Sequence, residues 1–308
     1  MTATTDLGQY LDARRSEIDA ALVAALPRPP VCPANVADAM RYSVTAGGKR
    51  LRPILCLASA EAVGGDRRAA MPAACALEFI HTYSLIHDDL PAMDNDTLRR
   101  GQPTLHVVAG EGMAILAGDG LLTEAFALMA REPASDDAVV GARKLRVIAI
   151  VASGAGAEGM VGGQAIDLAS VTPRNGSPPA PLAADDVRDM HARKTGALIR
   201  AAACAGAVMG GATDAQVRAI DRAASDLGLA FQIVDDVLDI EGASAELGKT
   251  AGKDVAAGKP TYPALYGLDR SKRMARECLE RATATLSSIN LAESRLVQIG
   301  HWIVNRTR

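Results

Sequence analysis

The stretch HTYSLIHDDLPAMD, residues 81–94, decides the fold of this 308-residue chain. Apolar residues before and within it predict a buried helix, which carries acidic side chains at Asp88, Asp89 and Asp94. Carboxylates at the end of an apolar helix are costly to bury unless they are paired or bind a metal. Because carboxylate oxygens are hard ligands, this arrangement suits Mg²⁺, which shares its coordination shell with water and substrate phosphates.

A second acidic stretch, FQIVDDVLD at residues 231–239, has a similar composition. At about 100° per residue, Asp235 and Asp239 lie about 40° apart on one face of a helix, and Gln232 joins that face. One such cluster is most often a solvated helix face. Two of them, in a chain that also concentrates basic residues, predict two Asp-rich helices that hold several Mg²⁺ ions in a central cavity between them.

The spacing within the first cluster requires an irregular backbone. Asp88 and Asp94 are six residues apart, which places them about 240° from each other around a regular helix. They can share a metal only if the helix deforms between them. Pro91 lies in this interval and lacks the N–H group that a helix needs, so we expect the deformation there.

Composition and charge limit the classes of function. The net charge of −3 gives no general attraction to nucleic acid or to anionic membranes. The five cysteines show no CxxC pair, which indicates reduced thiols in a cytosolic protein. The N-terminus lacks the apolar core of a signal peptide, and no apolar run reaches the roughly 20 residues of a membrane span. We therefore expect a cytoplasmic protein without an integral membrane segment.

Helical patterns dominate the chain. No alternating strand pattern appears, and alanine, the best helix former, is abundant. Neither a domain linker nor an internal repeat separates the candidate site residues. The sequence predicts an all-α fold, in which residues 1–308 form a single large helical bundle of about ten or more helices. Individual helices are expected at residues 6–25, 34–44, 54–64, 70–93, 112–130, 141–160 and 271–306.

Three motifs together resemble the trans-prenyltransferases, and among them most closely the bacterial farnesyl diphosphate synthases. They are DDxxxxD at 88–94, FQxxDDxLD at 231–239 and GGKRLRP at 47–53, and the resemblance extends from about Gly47 to the C-terminus. It implies an isoprenoid synthase fold, a homodimer, and about three Mg²⁺ ions bound with diphosphate, for which Mn²⁺ can substitute. The metal ligands that it implies are Asp88, Asp89, Asp94, Asp235 and Asp239.

The basic residues fall into two groups under this resemblance. Gly47 and Gly48 allow the backbone to approach a ligand, and arginine side chains match phosphate oxygens in pairs. His81 lies seven residues before Asp88 and hence on nearly the same helical face. The resemblance assigns isopentenyl diphosphate to Lys49, Arg52, His81 and Arg100. It assigns the allylic diphosphate to Arg99, Lys194, Lys249 and Lys259, with Thr195 facing the reacting carbon and Gln232 stabilising it.

Three short motifs have alternative interpretations. Lys194-Thr195-Gly196 occurs in serine β-lactamases, which also need a Ser-x-x-Lys motif that this chain lacks. Gly248-Lys249-Thr250 resembles the end of a phosphate-binding loop, but the glycine before it, Gly242, is one position too distant. Gln164 and Asp167 resemble the GQxxD element of the prenyltransferases, and they could either support the site or pack between helices.

The reaction implied by the resemblance needs no protein nucleophile, and no Ser-His-Asp set or reactive cysteine can be named in the chain. An allylic group leaves its diphosphate as a carbocation, the double bond of isopentenyl diphosphate attacks it, and a proton is then lost. Mg²⁺ and lysine side chains neutralise the charge on the leaving diphosphate. The catalytic residues implied are Asp88, Asp94, Lys194, Thr195, Gln232 and Asp235.

Product length is assigned to two residues just before the first acidic cluster. In the resembling synthases that stop at C15, an aromatic residue at the position of Tyr83 forms the floor of the pocket. The small Ser84 leaves room for a geranyl group to be extended once. We therefore expect farnesyl diphosphate from dimethylallyl and geranyl primers, with geranyl and geranylgeranyl diphosphate as alternative products.

Two other classes of protein share parts of this pattern. Terpene cyclases generally pair one Asp-rich helix with an Asn/Ser/Glu-type second motif, and non-catalytic synthase subunits usually lack one acidic motif. Both motifs are intact here, so both classes are disfavoured. Asn95 stands where the family often has another Asp; since Asp88 and Asp94 are retained, we expect little effect.

Overall fold

A computed structural model describes residues 6–171, 182–245 and 261–306 of the protein. Within these ranges nearly all regular structure is helical, and the all-α prediction is confirmed. The helices are α1 (Leu7–Ala25), α2 (Ala34–Val44), α3 (Leu51–Ala62), α4 (Arg67–Asp88), α5 (Leu105–Ala109), α6 (Glu111–Arg131), α7 (Ala138–Ala155), α8 (Met160–Val171), α9 (Ala184–His191), a π-helix (Ala192–Gly196), α10 (Ala197–Met209), α11 (Asp214–Ala245), α12 (Tyr262–Tyr266), α13 (Leu268–Ser287) and α14 (Arg295–Asn305).

A short hairpin interrupts the helices after the first acidic cluster, where the sequence predicted only a loop. Strands β1 (Leu98–Arg99) and β2 (Gln102–Pro103) pair antiparallel, with Leu98 opposite Pro103. Arg100 and Gly101 turn the hairpin with φ values of 53° and 76°. Two successive residues with positive φ match the right-handed twist of paired strands, which explains the tight turn.

The chain divides into two compact units. One contains Met1–Ala149 and Ala205–Gly211, and the other contains Ile150–Cys204 and Ala212–Arg308. The prediction that residues 1–308 form a single domain stays a prediction.

The first unit is built around α4, which packs against α3 and α6. Its buried positions combine four alanines with larger apolar side chains such as Leu77 and Phe79. Small residues let helices approach closely: a Cβ atom at Gly206 would lie 1.8 Å from the carbonyl oxygen of Cys56. The alanine- and glycine-rich composition is therefore a packing requirement.

The second unit is built around α11, which packs mainly against α13 and also against α14. A cluster of fully or nearly fully buried residues joins these helices to α12. It consists of Ala230, Ile233, Val234, Tyr262, Ala275 and Cys278. The second acidic stretch lies inside α11, so these apolar neighbours hold one face of that stretch in place.

Several helix ends differ from the predicted ones. The helix predicted at 70–93 ends at Asp88, and the chain then turns so that the N–H of Asp94 donates to the Asp88 carbonyl at 2.8 Å. The helix predicted at 141–160 is α7, which already ends at Ala155, and the helix predicted at 271–306 is two helices, α13 and α14. Glycines at 156 and 159 explain the first break, because a Cβ atom at either would lie within 3 Å of a backbone oxygen. At the second break Asn290 adopts a φ of 62°.

Two helices, α4 and α6, are long and apolar enough to cross a membrane when judged by length and composition alone. In α4, 67% of the apolar window is buried within the protein, and in α6 the share is 39%. A buried core helix passes the same test, so this observation is weak support for a membrane span.

Candidate active site

The first acidic cluster straddles the end of α4. Asp88 is the last residue of the helix, and the turn that follows returns Asp94 to it through the backbone hydrogen bond described above. The helix therefore does deform between the two residues, as the spacing required. Asp88 is partly exposed and Asp94 is exposed. Both carboxylates thus lie at the surface of the first unit, where a ligand can reach them.

Asp89 has different surroundings from Asp88. Its carboxylate is 4% exposed and accepts two hydrogen bonds from Arg99 Nε, at 2.8 and 3.0 Å, and one from Arg99 Nη2 at 2.6 Å. Burial raises the pKa of the Asp89 carboxyl, and the pairing with Arg99 offsets part of that rise. Asp89 thus holds the hairpin arginine, and its metal-binding role stays a prediction.

The glycine pair of the GGKRLRP segment receives Arg100. Gly47 and Gly48 have φ values of 82° and 139°, and a Cβ atom at Gly48 would lie 2.6 Å from Nη1 of Arg100. The same Nη1 donates to the Gly47 carbonyl. Glycine is needed here because the guanidinium group lies directly against the backbone. The structure therefore brings together the two segments that the sequence assigned to isopentenyl diphosphate.

The middle basic residue of that segment has a structural task. Arg50 is 4% exposed and adopts the left-handed conformation at the start of α3. Its guanidinium donates to Asp19 and Glu78, both at 2.8 Å, and to the Val44 carbonyl at 2.7 Å. This buried ion network fixes the backbone from which Lys49 and Arg52 project.

His81 lies among the arginines. Burial lowers the pKa of its imidazole first, and the positive charges of Arg52, Arg100 and Arg99 lower it further. The ring is therefore neutral at pH 7 and adds hydrogen-bonding capacity without adding charge. Arg52 and Arg100 thus lie near His81, and the assignment of these three residues to isopentenyl diphosphate stays a prediction.

The two proposed chain-length residues lie on α4. Tyr83 is 7% exposed, and its ring meets His87 edge-on with ring centroids 5.7 Å apart. Ser84 donates its hydroxyl to the His81 carbonyl at 2.9 Å. The sequence analysis missed the support behind Tyr83: Nε2 of His87 lies 3.2 Å from the Ile115 carbonyl oxygen of α6.

A glycine makes room for that histidine. A Cβ atom at Gly118 of α6 would lie 2.2 Å from Nε2 of His87. His87 therefore fills the space between α4 and α6 and limits how far the Tyr83 ring can turn. Because Gly118 and His87 lie on different helices, their contact could not be predicted from the sequence.

In the second unit, Lys194 and Thr195 lie in the π-helix. Such widened turns are rare and are often found at functional sites. The ammonium group of Lys194 lies 2.5 Å from Asp167, so the KTG and GQxxD elements are in contact. A Cβ atom at Gly163 would lie 2.2 Å from the backbone nitrogen of Lys194, so α8 approaches the π-helix closely. Two adjacent polar atoms, Gln164 Oε1 and His191 Nδ1, are buried without a hydrogen-bond partner.

The two adjacent aspartates of the second cluster also have different surroundings. Asp235 accepts from Arg306 Nη2 at 2.6 Å, and its side chain is 41% exposed. Arg306 lies over the ring of Phe231 and donates to its carbonyl at 2.9 Å. Burial lowers the pKa of the Arg306 guanidinium, and its pairing with Asp235 opposes that shift. Asp236, in contrast, is 6% exposed.

A chain of hydrogen bonds connects Asp236 to Thr195. Oδ2 of Asp236 accepts from the Tyr262 backbone N–H at 2.9 Å, and Oδ1 accepts from Nε2 of Gln232 at 2.8 Å. Oε1 of Gln232 in turn accepts from the Thr195 hydroxyl at 3.0 Å. Gln232 and Thr195 are thus in contact, their roles in the reaction stay predictions, and Asp236 and Tyr262 are residues that the sequence analysis missed.

The structure says less about the three remaining predicted site residues. Asp239 lies one turn after Asp235 on α11. Lys249 and Lys259 lie outside the described residues. Within the part of the chain that the structure describes, no three carboxylate, imidazole or thiol groups lie close enough to hold a metal ion by themselves.

Comparison with known proteins identifies the family. The model of the family described as polyprenyl synthetase matches residues 33–294. The chain belongs to this family.

Its relatives include chain-elongating enzymes from plants and bacteria. Geranylgeranyl pyrophosphate synthase 3 of Arabidopsis thaliana is 46% identical over 98% of this chain and 82% of its own length. A dimethylallyltranstransferase of Fischerella ambigua is 44% identical over 99% of this chain and 85% of its own length. The crystal structure of an FPP/GFPP synthase from Zymomonas mobilis has a TM-score of 0.83 and 36% identity, covering 97% of this chain and 99% of that one.

Membership and these similarities show a prenyltransferase of the chain-elongating type with the all-α isoprenoid synthase fold. The relatives are mostly geranylgeranyl synthases, so they support the alternative product of the sequence analysis better than farnesyl diphosphate.

Proposed function

We propose that this member of the polyprenyl synthetase family condenses isopentenyl diphosphate head-to-tail with allylic diphosphates, in a Mg²⁺-dependent reaction that releases pyrophosphate. The observation that carries the proposal lies within the first unit. Arg52, Arg99 and Arg100 lie near His81, which precedes Asp88 by about two turns of α4. Asp94 turns back to Asp88 at the end of that helix. Cationic forks beside hard carboxylates suit a diphosphate and the metal bound to it.

The donor atoms of the acidic clusters fit Mg²⁺. This ion usually takes only one or two carboxylates and completes its octahedral shell with water and substrate phosphates. A cluster of three protein ligands is therefore not required. Asp88 and Asp94 would hold it in one unit, and Asp235 and Asp239 in the other. When bound, Mg²⁺ neutralises the negative charge that develops on a departing diphosphate.

The protein's own groups bind and orient the two substrates and shield the cation from water. Arg52, Arg100 and neutral His81 hold the isopentenyl diphosphate by charge-assisted and neutral hydrogen bonds. Lys194, oriented by Asp167, binds the allylic diphosphate and adds positive charge where that group departs. Thr195, whose hydroxyl is held by Gln232, places an oxygen atom near the carbon that becomes positive. Apolar walls keep water from the cation.

The product that the relatives favour is geranylgeranyl diphosphate, which makes it our first candidate. A specific observation favours farnesyl diphosphate as the second. Tyr83 is a large, buried ring held against His87, and a ring in that position shortens the space available to a growing chain.

The test is incubation of the purified protein with isopentenyl diphosphate, Mg²⁺ and, separately, dimethylallyl, geranyl and farnesyl diphosphate, followed by measurement of product length. Accumulation of C20 with every primer supports the first candidate. Accumulation of C15, with farnesyl diphosphate not extended, supports the second. Tyr83→Ala is expected to lengthen the main product by one or more five-carbon units, and Tyr266→Ala, on the exposed face of α12, should leave it unchanged.

We also propose that the protein is a homodimer located in the cytoplasm. The dimer is supported by exposed apolar side chains on α5 and α6, because contact with a second copy would remove them from water. These residues are Val107, Val108, Ile115 and Leu116. Light scattering after gel filtration should give twice the mass of the 31.9 kDa chain, and Leu116→Glu should reduce it to the monomer.

A further inference from the structure

The hydrogen-bonded chain from Tyr262 to Thr195 has a direction. It begins at the backbone N–H of Tyr262, passes through Asp236 and Gln232, and ends at the Thr195 hydroxyl, all within the second unit. Its inner end is buried, since Asp236 and Tyr262 are 6% and 2% exposed. Its outer end, Thr195, is partly exposed. The chain thus connects the protein interior to a group that a substrate can reach.

The chemistry of the inner end determines the donors and acceptors along the chain. A carboxylate only accepts hydrogen bonds, and a backbone N–H only donates them. The Gln232 atom that faces Asp236 must therefore be the amide nitrogen, and the atom that faces Thr195 must be the amide oxygen. Since that oxygen only accepts, the Thr195 hydroxyl must donate its proton to Gln232. Its oxygen lone pairs are then directed away from Gln232.

We propose that Asp236 is a positioning residue that fixes the direction of this chain, so that Thr195 presents oxygen lone pairs, and not its proton, to the allylic carbon as that carbon becomes positive. The inference rests on the proposed function, in which Thr195 faces the reacting carbon. A hydroxyl dipole held with its negative end toward a developing cation stabilises it without reorganisation, whereas the reversed dipole opposes it.

This role distinguishes Asp236 from its neighbour. Asp235 is partly exposed and pairs with the buried guanidinium group of Arg306. Both oxygens of Asp236 instead accept hydrogen bonds from groups of the protein interior. Asp236 therefore acts on the reaction through Gln232 and Thr195, without touching the substrate.

The substitution Asp236→Asn tests the direction of the chain. If the Asn oxygen keeps the Tyr262 N–H, its amide nitrogen faces Gln232, and the Gln232 amide must turn over to accept. The Gln232 nitrogen then donates to Thr195, whose proton is directed toward the substrate. We expect kcat to fall about a hundredfold, the size of effect seen when one preorganised dipole is lost, with the KM of both substrates little changed.

Exchanging the carboxylate and the amide between positions 236 and 232 should restore the direction of the hydrogen bonds. In the double variant Asp236→Asn with Gln232→Glu, the Asn amide accepts from Tyr262 and donates to the Glu carboxylate. That carboxylate accepts from Thr195, as the Gln232 oxygen does in the wild type. We expect the swap to recover most of the kcat lost in Asp236→Asn. A swap variant no faster than Asp236→Asn would overturn the positioning role.

A second comparison holds even if Asp236→Asn folds poorly. Gln232→Met breaks the link between Asp236 and Thr195, and its loss of kcat should largely disappear in a Thr195→Val background, where no hydroxyl remains to be oriented. Equal losses in both backgrounds would show that the chain serves packing alone. Wild-type protein that fails to condense isopentenyl diphosphate would overturn the proposed function, and so the two failures are distinguishable.

Discussion

The two acidic clusters are similar in sequence but are held in different ways. In each pair of adjacent aspartates the first, Asp88 or Asp235, is partly exposed, and the second, Asp89 or Asp236, is buried. The buried member is paired with Arg99 in the first cluster, and in the second it accepts hydrogen bonds from the Gln232 amide and the Tyr262 backbone N–H. In this protein each DD pair thus combines one carboxylate that solvent can reach with one that is held inside the protein.

The backbones that carry the two clusters also differ. The first cluster lies where α4 ends and a turn returns Asp94 to Asp88, whereas the second lies inside the continuous helix α11. A helix end can adjust its carboxylates to a bound ion through the turn. A residue inside a packed helix cannot move in this way, which makes the fixed network around Asp236 reasonable there.

The largest predicted effect comes from removing the exposed member of a pair. Asp235→Asn should lower kcat by about a hundredfold or more, because several kcal/mol of charge stabilisation depend on a metal ligand. It should also raise the Mg²⁺ concentration needed for half-maximal rate. Asp214→Asn, at the exposed start of the same helix, is the matched control. Normal turnover in Asp235→Asn would show that the exposed carboxylate is not a ligand.

The second prediction concerns the buried member of the first cluster. Asp89→Asn leaves the partly buried Arg99 guanidinium without its charged partner, and should destabilise the fold by about 2 kcal/mol. Thermal unfolding of Asp89→Asn, Arg99→Gln and the double variant measures this coupling. We expect the double variant to be less destabilised than the sum of the single ones. Additive effects would mean that the pair contributes little.

The sequence predicted different parts of the fold and of the candidate site. Helix α2 was predicted with the correct bounds, because Pro33 and the glycines after Val44 mark its ends. The breaks near residues 156 and 290 were missed, since isolated glycines and an Asn inside apolar patterns are weak signals. The acidic and basic motifs were found because their spacing is specific.

The direction in which each aspartate faces could not be predicted. Asp89 is paired with a residue ten positions later and Asp235 with one 71 positions later, and such pairings exist only after folding. Asp236 and Tyr262 escaped notice for the same reason, because a backbone donor leaves no trace in the sequence. The role of Arg50 likewise depends on the distant Glu78.

A third prediction concerns the pH dependence of stability and His191, which packs near the second acidic cluster. His191 packs against Tyr262 with ring centroids 5.5 Å apart, and burial lowers the pKa of His191 to about 4. Between this value and the unfolded pKa of about 6.5 the unfolded chain binds more protons, so stability falls as pH falls. This group alone should remove about 1 kcal/mol between pH 6.5 and 5.5.

The measurement is the pH dependence of unfolding free energy in wild type and in His191→Gln. The difference between the two should slope in this window. A wild-type curve parallel to that of His191→Gln would mean that the pKa of His191 is the same in the folded and the unfolded protein.

The smallest predicted effect concerns the guanidinium beside the second cluster. Arg306→Gln removes a positive charge next to Asp235, and should lower the Mg²⁺ concentration for half-maximal rate about threefold, the size of a partly screened charge interaction. Arg281→Gln breaks another arginine–aspartate pair of the same unit, with Asp226, and is the control. An increased Mg²⁺ requirement in Arg306→Gln would show that Arg306 supports metal binding.

The most direct test follows labelled isopentenyl diphosphate in the purified protein, with an allylic primer, before and after removal of divalent metal. We predict that the label enters a longer prenyl diphosphate only when primer and Mg²⁺ are both present, and that one pyrophosphate is released for each isopentenyl unit added. EDTA should stop the incorporation and added Mg²⁺ should restore it. Allylic diphosphate consumed without incorporation of label, or incorporation that continues in EDTA, would contradict a metal-dependent chain-elongating synthase.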